Sequence, residues 1–318
     1  MPTDERPGAA SWLVLPLAEV RGWFQSWKLI LLWLVCCGPQ LYIIFKLFMA
    51  FSFSGSEMVG RRTREFAASL LGRSTEMEFY AESLVQLPIT LIFTAVFVAA
   101  TSIHTVSRDR RFGALELYFT RPLRTGHYIG GRWLGASFSV AMVTALPVIL
   151  AWLVAALTAP DWGFLVETIH IPLRLALQGL FFCGLMGLCI TAISSLSGNS
   201  RTCQVTWIGF TLIMHMVFST GLRRLIQREW PVQFSPWGIM QRVSEAILGV
   251  APEHPSLVLA GKWITGPIDW LRNDLFGMET RLGRADDPML GCLEPCLLLA
   301  LAAFLVLKRT IKPVEVVG

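Results

Sequence analysis

The chain has 318 residues, of which 54% are hydrophobic and only 15% are charged, and it contains twelve tryptophans. Soluble domains carry roughly 25% charged residues, so this composition is typical of a membrane protein and argues against a soluble enzyme. The net charge is +5, and the basic residues cluster at the ends of apolar runs instead of forming one continuous stripe, which excludes a nucleic-acid partner from the prediction.

An amphipathic helix is predicted near the N-terminus, over residues 11–28. Apolar residues recur at steps of three and four from Leu13 to Trp27, while polar residues such as Glu19 fall elsewhere around the helix. A helix of this kind lies along the membrane surface, with its tryptophans, Trp23 among them, at the level of the lipid headgroups. A helix packed on a soluble core is the alternative.

Six apolar runs are each long enough to cross a bilayer as an α-helix, which needs about 20 residues. Gly38-Pro39 should bend the first run and Pro147 the third, because proline removes a backbone donor and clashes with the preceding turn. The predicted fold is therefore an all-α integral membrane protein with a single transmembrane domain over residues 1–318. The predicted spans are residues 29–51, 84–106, 129–157, 171–196, 203–221 and 290–307.

The loop between the second and third predicted spans, residues 107–128, is strongly basic, with six arginines between positions 107 and 132. Because Lys and Arg accumulate in cytoplasmic loops, this loop and both termini should lie on the cytoplasmic side of the cell (inner) membrane. That orientation places thirteen basic residues inside, against four in the first loop and eight in residues 222–288. The proline-containing segment 222–288 is then an external, partly helical cap, with an amphipathic stretch at residues 239–248.

The basic loop also contains a short amphipathic pattern. Four of its residues share one face of a predicted helix: Phe112, Leu115, Glu116 and Phe119. Gly113 leaves room for the close approach of a partner, and Pro122 ends the turn. A helix with an apolar knob can fill a groove on another protein, whereas a helix resting on lipid headgroups fits the same periodicity.

The motifs of catalysis are absent from the sequence. No phosphate-binding G-x-x-x-x-G-K-[ST], no H-E-x-x-H and no G-x-S-x-G occurs, and the cysteines lack the C-x-x-C spacing of a metal site. The chain is therefore expected not to be an enzyme, and to carry no ATPase site, metal or cofactor of its own.

Two ionisable residues inside the predicted spans, His215 and Glu294, are candidates for a translocation path. Ionisable groups are costly within a bilayer and often functional there. For His215 the alternative is a hydrogen bond to a neighbouring helix. For Glu294, which precedes Pro295, the alternative is a position at the outer interface.

The loop resembles the segment between the second and third spans of the membrane subunits of type-2 ATP-binding-cassette (ABC) exporters. The similarity lies in the pattern acid-x-x-x-Gly-x-Leu-Glu, which begins at Asp109, in a basic-Pro-Leu-Arg turn, and in an aromatic-Ile-Gly-Gly-Arg entry into the next span, which runs from Tyr128 to Arg132. Ala114 and Arg132 stand where the family often has Thr and Lys. The resemblance implies that the ATPase-coupling residues are Asp109, Phe112, Gly113, Leu115, Glu116, Phe119, Pro122 and Arg124.

The resemblance also implies how such a chain works. A permease of this family forms a dimer, with itself or with a sister permease, and associates with two cytoplasmic ABC ATPase subunits that bind the ATP and Mg²⁺. ATP binding would close the ATPases, and the loop helix would transmit that motion to the spans. The alternatives are an ATP-independent secondary transporter, which would carry paired intramembrane charges, and an intramembrane enzyme, which would need a nucleophile and base or a metal cluster within the spans.

Overall fold

The computed structural model describes residues 14–38, 88–114, 125–158, 169–222 and 288–311, with isolated positions at 41, 45, 166, 225 and between 234 and 247. Within these residues the chain is helical and contains no strand, which confirms the all-α prediction. The helices are α1 (Val14–Gln25), α2 (Trp27–Cys36), α3 (Pro88–Thr101), α4 (Thr105–Arg111), α5 (Thr125–Val143), α6 (Ala145–Thr158), α7 (His170–Leu196), α8 (Ser200–His215), which continues into a π-helical segment (Met216–Leu222), and α9 (Pro288–Thr310).

The N-terminal helix α1 packs on α5 and α2 and turns most of its predicted apolar stripe outward, although Val20 packs against the cluster around Trp23. Leu17 and Phe24 of the stripe are exposed. Trp23, about 100° around the helix from Phe24, is buried between Phe97 and Phe138, with both ring centroids 6.2 Å away. The placement of Trp23 at the lipid headgroups was therefore wrong: this ring packs into the helix bundle, because two other aromatic rings cover it.

The second predicted span ends earlier than its apolar run. α3 stops at Thr101, and α4 begins at Thr105, one residue before the predicted end of the span. Hydroxyl side chains bond to main-chain carbonyls at this break: the Thr101 hydroxyl donates to the Phe97 carbonyl at 2.8 Å, and the Thr105 hydroxyl to the Ser102 carbonyl at 2.9 Å. The apolar pattern of the sequence continues through this break.

The third predicted span is bent, as its proline predicts. α5 and α6 meet at Thr144 with an angle of 48° between them. Pro147 has no N–H for the carbonyl of Val143, four residues earlier, and its ring crowds that carbonyl. The bend therefore lies one turn before the proline. The other predicted bend, at Gly38-Pro39, reaches beyond the described residues.

The central helix is α7, which packs against α5, α9, α6, α4 and α8. Among the described residues it is the one helix that is long and apolar enough to cross a membrane by itself, and the bent α5–α6 pair passes the same test when counted as one span. α2 is apolar but has only ten residues. The fourth predicted span thus corresponds to a single long helix, α7.

α5 and α7 approach each other closely where Ser137 faces Gly187. A Cβ on Gly187 would stand 2.1 Å from the Ser137 hydroxyl oxygen and 2.8 Å from its main-chain nitrogen. Nearby, the Trp133 indole N–H donates to the Gly184 carbonyl at 2.7 Å. Small residues that let two helix backbones meet, reinforced by a hydrogen bond between helices, are typical of helix packing in membranes.

The stretch predicted to be amphipathic, 239–248, contributes apolar residues to the hydrophobic core between the helices. Ile239 and Val243 are buried in it, and Ile247 packs against it. The Ser235 hydroxyl accepts a hydrogen bond from the Gly238 N–H at 2.9 Å, as an N-cap residue does. The four-residue spacing of the three apolar residues explains why they share one face.

Candidate functional site

An ion pair joins the two ends of the basic loop. In α5, Arg132 Nη2 donates to Asp109 Oδ2 of α4 at 2.5 Å, and the Tyr128 hydroxyl donates to the same oxygen at 2.6 Å. The side chains of Arg132 and Asp109 are only 11% and 13% exposed. Asp109, one of the predicted coupling residues, thus directs its carboxylate toward the interior of the chain, where it holds the loop closed.

Glu19 extends this network to the N-terminal helix. Ser102 Oγ donates to Glu19 Oε1 at 2.9 Å, and Glu19 Oε2 lies 3.6 Å from Arg132 Nη1. The Glu19 side chain is 7% exposed. Burial raises the pKa of Glu19 to about 7, although the positive charge of Arg132 acts in the opposite direction. Gly135 of α5 leaves the space, because a Cβ there would stand 2.6 Å from Glu19 Oε2.

On its other side, α4 is fastened to the C-terminal end of α7. The Ser194 hydroxyl oxygen accepts hydrogen bonds from the main-chain N–H groups of Val106 and Ser107, at 3.1 and 3.3 Å. The Arg110 guanidinium donates to the main-chain carbonyl of Ser195. These carbonyl and N–H groups lie at helix ends, where backbone groups need partners from outside the helix. α4 therefore completes the hydrogen bonding at the end of α7, and Ser194 does the same for the start of α4.

The same end of α7 also meets α8 and α9. The hydroxyl groups of Ser195 and Thr310, the last residue of α9, are 2.8 Å apart. Asn199 caps α8 by accepting from the Arg201 N–H at 3.1 Å, so the turn between α7 and α8 is ordered by its own side chains. Ends of α4, α7, α8 and α9 are thereby joined next to the closed base of the loop.

Beyond this base, the loop turns outward at Phe112 and Gly113. Phe112 is 72% exposed. Gly113 follows it with a φ of 67°, a left-handed conformation that commonly ends helices and favours glycine. No described atom lies within 4 Å of a Cβ built on Gly113, so a side chain would find space among the described residues. Glycine is therefore favoured here by the backbone conformation and not by close packing. The other predicted coupling residues lie outside the described residues: Leu115, Glu116, Phe119, Pro122 and Arg124.

The outward surface of α4 is basic around this aromatic ring. Arg108, Arg110 and Arg111 are exposed, and the Arg111 guanidinium lies 6.0 Å from the centre of the Phe112 ring. Asp109, the acidic residue of the helix, is turned inward toward Arg132. α4 therefore presents a positively charged surface with an apolar side chain at its end.

The two candidates for a translocation path lie away from this network. His215 is buried at the last turn of α8, fifteen positions from the start of that helix, which corresponds to roughly 22 Å along the axis. Glu294 lies in the first half of α9, roughly 24 Å along the helix from Thr310. The side chain of Glu294 lies outside the described part of the structure. The structure thus separates both residues from the loop base.

The described part of the chain contains no group of side chains arranged as a metal-binding site. Within it, no three or more His, Cys, Asp or Glu side chains are grouped so that they could hold a metal ion. The six cysteines whose side chains are described are buried, and they form no disulfide with one another. Buried cysteines of this kind behave as small apolar side chains.

Sequence reasoning missed Glu19, Ser102 and Ser194 as parts of a site. Glu19 had a detectable signal: it is the one acidic residue in α1, and it lies four positions before the buried Trp23, on the same side of the helix. Ser102 and Ser194 had none, because serine is common in helices of every kind and its partners come from distant parts of the chain.

Comparison with known proteins provides no relative for this chain. No protein-family model matches it, and no curated protein matches it. The functional conclusion therefore rests on the loop residues and on the network that holds the base of the loop.

Proposed function

We propose that this chain is the membrane-spanning permease subunit of an ABC exporter, which moves its substrate with energy from ATP hydrolysed on separate cytoplasmic ATPase subunits. In this proposal the chain has six spans, lies in the cell (inner) membrane with both termini inside, and pairs with a second permease chain, identical or sister. α7 and the bent α5–α6 pair are the described helices that suit two of the spans. The remaining spans follow from the apolar runs of the sequence.

The observation that carries the proposal is the way α4 is fastened. It is joined to α7 through Ser194 and to α5 through Arg132, which the buried Glu19 side chain of α1 also faces. Buried ion pairs are expensive to desolvate and are weak devices for stability alone. A helix that merely rested on lipid headgroups would need none of these attachments, whereas a lever that passes motion into the helices needs a rigid base.

The outward side of α4 fits a protein partner. An exposed aromatic ring, Phe112, with the Arg111 guanidinium 6.0 Å from its centre would anchor in an apolar pocket that carries acidic residues at its rim. The ATPase subunit is the partner that the loop motif implies. Such an anchor needs a fixed exit from the helix, which the left-handed conformation of Gly113 supplies.

The proposed mechanism follows from these attachments. When the ATPases close on ATP, the loop would move with the surface that holds Phe112. Because Asp109 is bonded to Arg132 and Tyr128 at the start of α5, and Arg110 to the end of α7, displacement of α4 would move the ends of both helices together. The spans would then rearrange as connected bodies and change access to the substrate path.

The test is purification of the tagged chain from its own membrane in mild detergent. We expect a nucleotide-binding subunit to co-purify, and we expect the isolated chain to hydrolyse no ATP until that subunit is added back. Transport by the chain alone in proteoliposomes, driven by an ion gradient and indifferent to ATP, would overturn the proposal in favour of a secondary transporter.

A further inference from the structure

The buried network holds one more carboxylate than guanidinium. Arg132 is its one cation among the described residues, and Asp109 and Glu19 both face it. Asp109 receives two hydrogen bonds from charged or hydroxyl donors, from Arg132 and from Tyr128. Glu19 receives one, from Ser102, and its other oxygen stays 3.6 Å from the guanidinium. The two carboxylates therefore share Arg132 unequally.

Two atoms of this arrangement are left without hydrogen bonds. Glu19 Oε2 and Arg132 Nε are both buried, and neither has a hydrogen-bond partner among the described residues. A buried ionised carboxylate with an unbonded oxygen is costly, and two carboxylates beside one cation favour the binding of one proton. Since Asp109 already holds the two donors, that proton belongs on Glu19.

We propose that Glu19 is a positioning residue that holds α1 against the base of the loop while it carries a proton, and that loosens α1 when the proton leaves. The proposal does not rest on the function proposed above, because it uses only contacts within this chain. Ionisation would add a second buried negative charge beside Arg132, and moving α1 outward would return that charge to solvent.

The other charged groups near α1 do not neutralise this site. The charged groups that face Glu19 are Arg132 of α5 and Asp109 of α4. Lys28 of α2 and His127 of α5 are exposed to solvent. At the C-terminal end of α9, whose last turns share an apolar cluster with Leu15 of α1, the basic residues are exposed as well: Lys308 and Arg309.

The direction of the pH effect follows from where the proton is held more tightly. Burial raises the pKa of Glu19 from 4.5 to about 7, so the packed position of α1 binds the proton more strongly than a solvated position does. Attachment of α1 is then complete below about pH 4.5 and is lost as the pH rises through about 7. Substitution by Gln, which is neutral at every pH, removes this dependence.

The experiment measures how readily α1 leaves its packed position. In the full chain, reconstituted in liposomes and lacking native cysteines, Val20→Cys places a thiol on a partly buried site of α1, and Leu17→Cys places one on an exposed site of the same helix. The ratio of their labelling rates cancels the intrinsic pH dependence of the thiol reaction. We expect this ratio to rise by up to about tenfold per pH unit between about pH 5 and 7, and to level off above that.

Two variants and a second measurement make the result decisive. With Glu19→Gln the ratio should stay low at every pH, and with Glu19→Asp, which keeps a carboxylate, it should still rise. Hydrogen exchange of the α1 amides, corrected for the intrinsic rate, should give the same pattern in the chain with its native cysteines and Val20. A flat ratio in the parent protein, or an unchanged pH dependence in Glu19→Gln, would overturn the proposal without bearing on the ATPase.

Discussion

Asp109 and Arg132 are 23 positions apart, and their side chains meet at 2.5 Å, so that one ion pair closes the base of the loop between α4 and α5. The pair is mostly buried and is bonded to Tyr128 as well. It fixes the distance between the end of α4 and the start of α5, whatever lies between them. A loop whose two ends are held together can pass a displacement to α4 and α5 at once, whereas a loop whose ends move independently cannot.

Removing either partner of this pair should destabilise the protein. We expect Arg132→Ala to cost about 3 kcal/mol of unfolding free energy, because Asp109 is left as a buried charge without a cation, and Asp109→Ala to cost less, because Arg132 still faces Glu19 at 3.6 Å. The double variant should cost clearly less than the two single effects added together. Denaturant unfolding in detergent measures all three. Arg111→Ala is the control, since loss of the exposed Arg111 side chain should change the unfolding free energy by no more than about 0.5 kcal/mol. If the effects of Asp109→Ala and Arg132→Ala are strictly additive, the ion pair is not as described.

Two glycines three positions apart on α7 should respond differently to alanine. Gly187→Ala would place its methyl group 2.1 Å from the Ser137 hydroxyl and 2.8 Å from a main-chain nitrogen, so α5 and α7 must separate; we expect a loss of about 2 kcal/mol or more. At Gly184 the nearest neighbour is a side-chain carbon of Trp133 at 3.5 Å, an ordinary contact, so Gly184→Ala should be tolerated. Thermal unfolding of both variants tests this difference. Equal losses of stability would contradict the close contact between α5 and α7 at Gly187.

Phe112 is the described residue best placed to anchor a partner. Phe112→Asp should weaken co-purification of the proposed ATPase partner and lower the proposed transport, because it puts a charge into an apolar contact at a cost of about 2 kcal/mol or more. Insertion and thermal stability should be unchanged, since the ring is exposed in the chain by itself. Val166→Asp is the matched control, as Val166 is also 72% exposed but lies between α6 and α7. Normal ATPase association by Phe112→Asp would favour the helix resting on lipid headgroups.

The orientation can be tested at the start of α5 and between α6 and α7, which the proposed topology places on opposite sides of the membrane. In a background without native cysteines, Thr125→Cys should resist an impermeant thiol reagent in intact cells, and Val166→Cys should react. Permeabilised cells should label both, since both positions are at least partly exposed. Labelling of Thr125→Cys in intact cells at the rate of Val166→Cys would reverse the predicted topology.

Much of the helical architecture could be predicted from the sequence, because it depends on local properties. Apolar runs of membrane-spanning length predicted α7 nearly to the residue, and Pro147 predicted the bend between α5 and α6. The break after Thr101 was not predictable from hydrophobicity, since the apolar run of the sequence continues through it.

The candidate site was predictable only in part. The motif identified Asp109, Phe112 and Gly113 one by one, but nothing in it distinguishes a carboxylate that binds a partner from one that closes the loop within the chain. That distinction depends on where Arg132 and Tyr128 lie once α4 and α5 are packed. The role of Asp109 is therefore a property of the assembled helices.

The orientation of α1 shows where local information ends. Its sequence alone determined that apolar residues occupy one side and that Glu19 lies off that side. Either side can face the bundle, because exposed apolar side chains such as Leu17 and Phe24 suit lipid, and a carboxylate can be buried where a cation and a hydroxyl meet it. Only the tertiary structure decided that Glu19 faces inward, since Arg132, Ser102 and the space beside Gly135 come from segments more than eighty residues further along the chain.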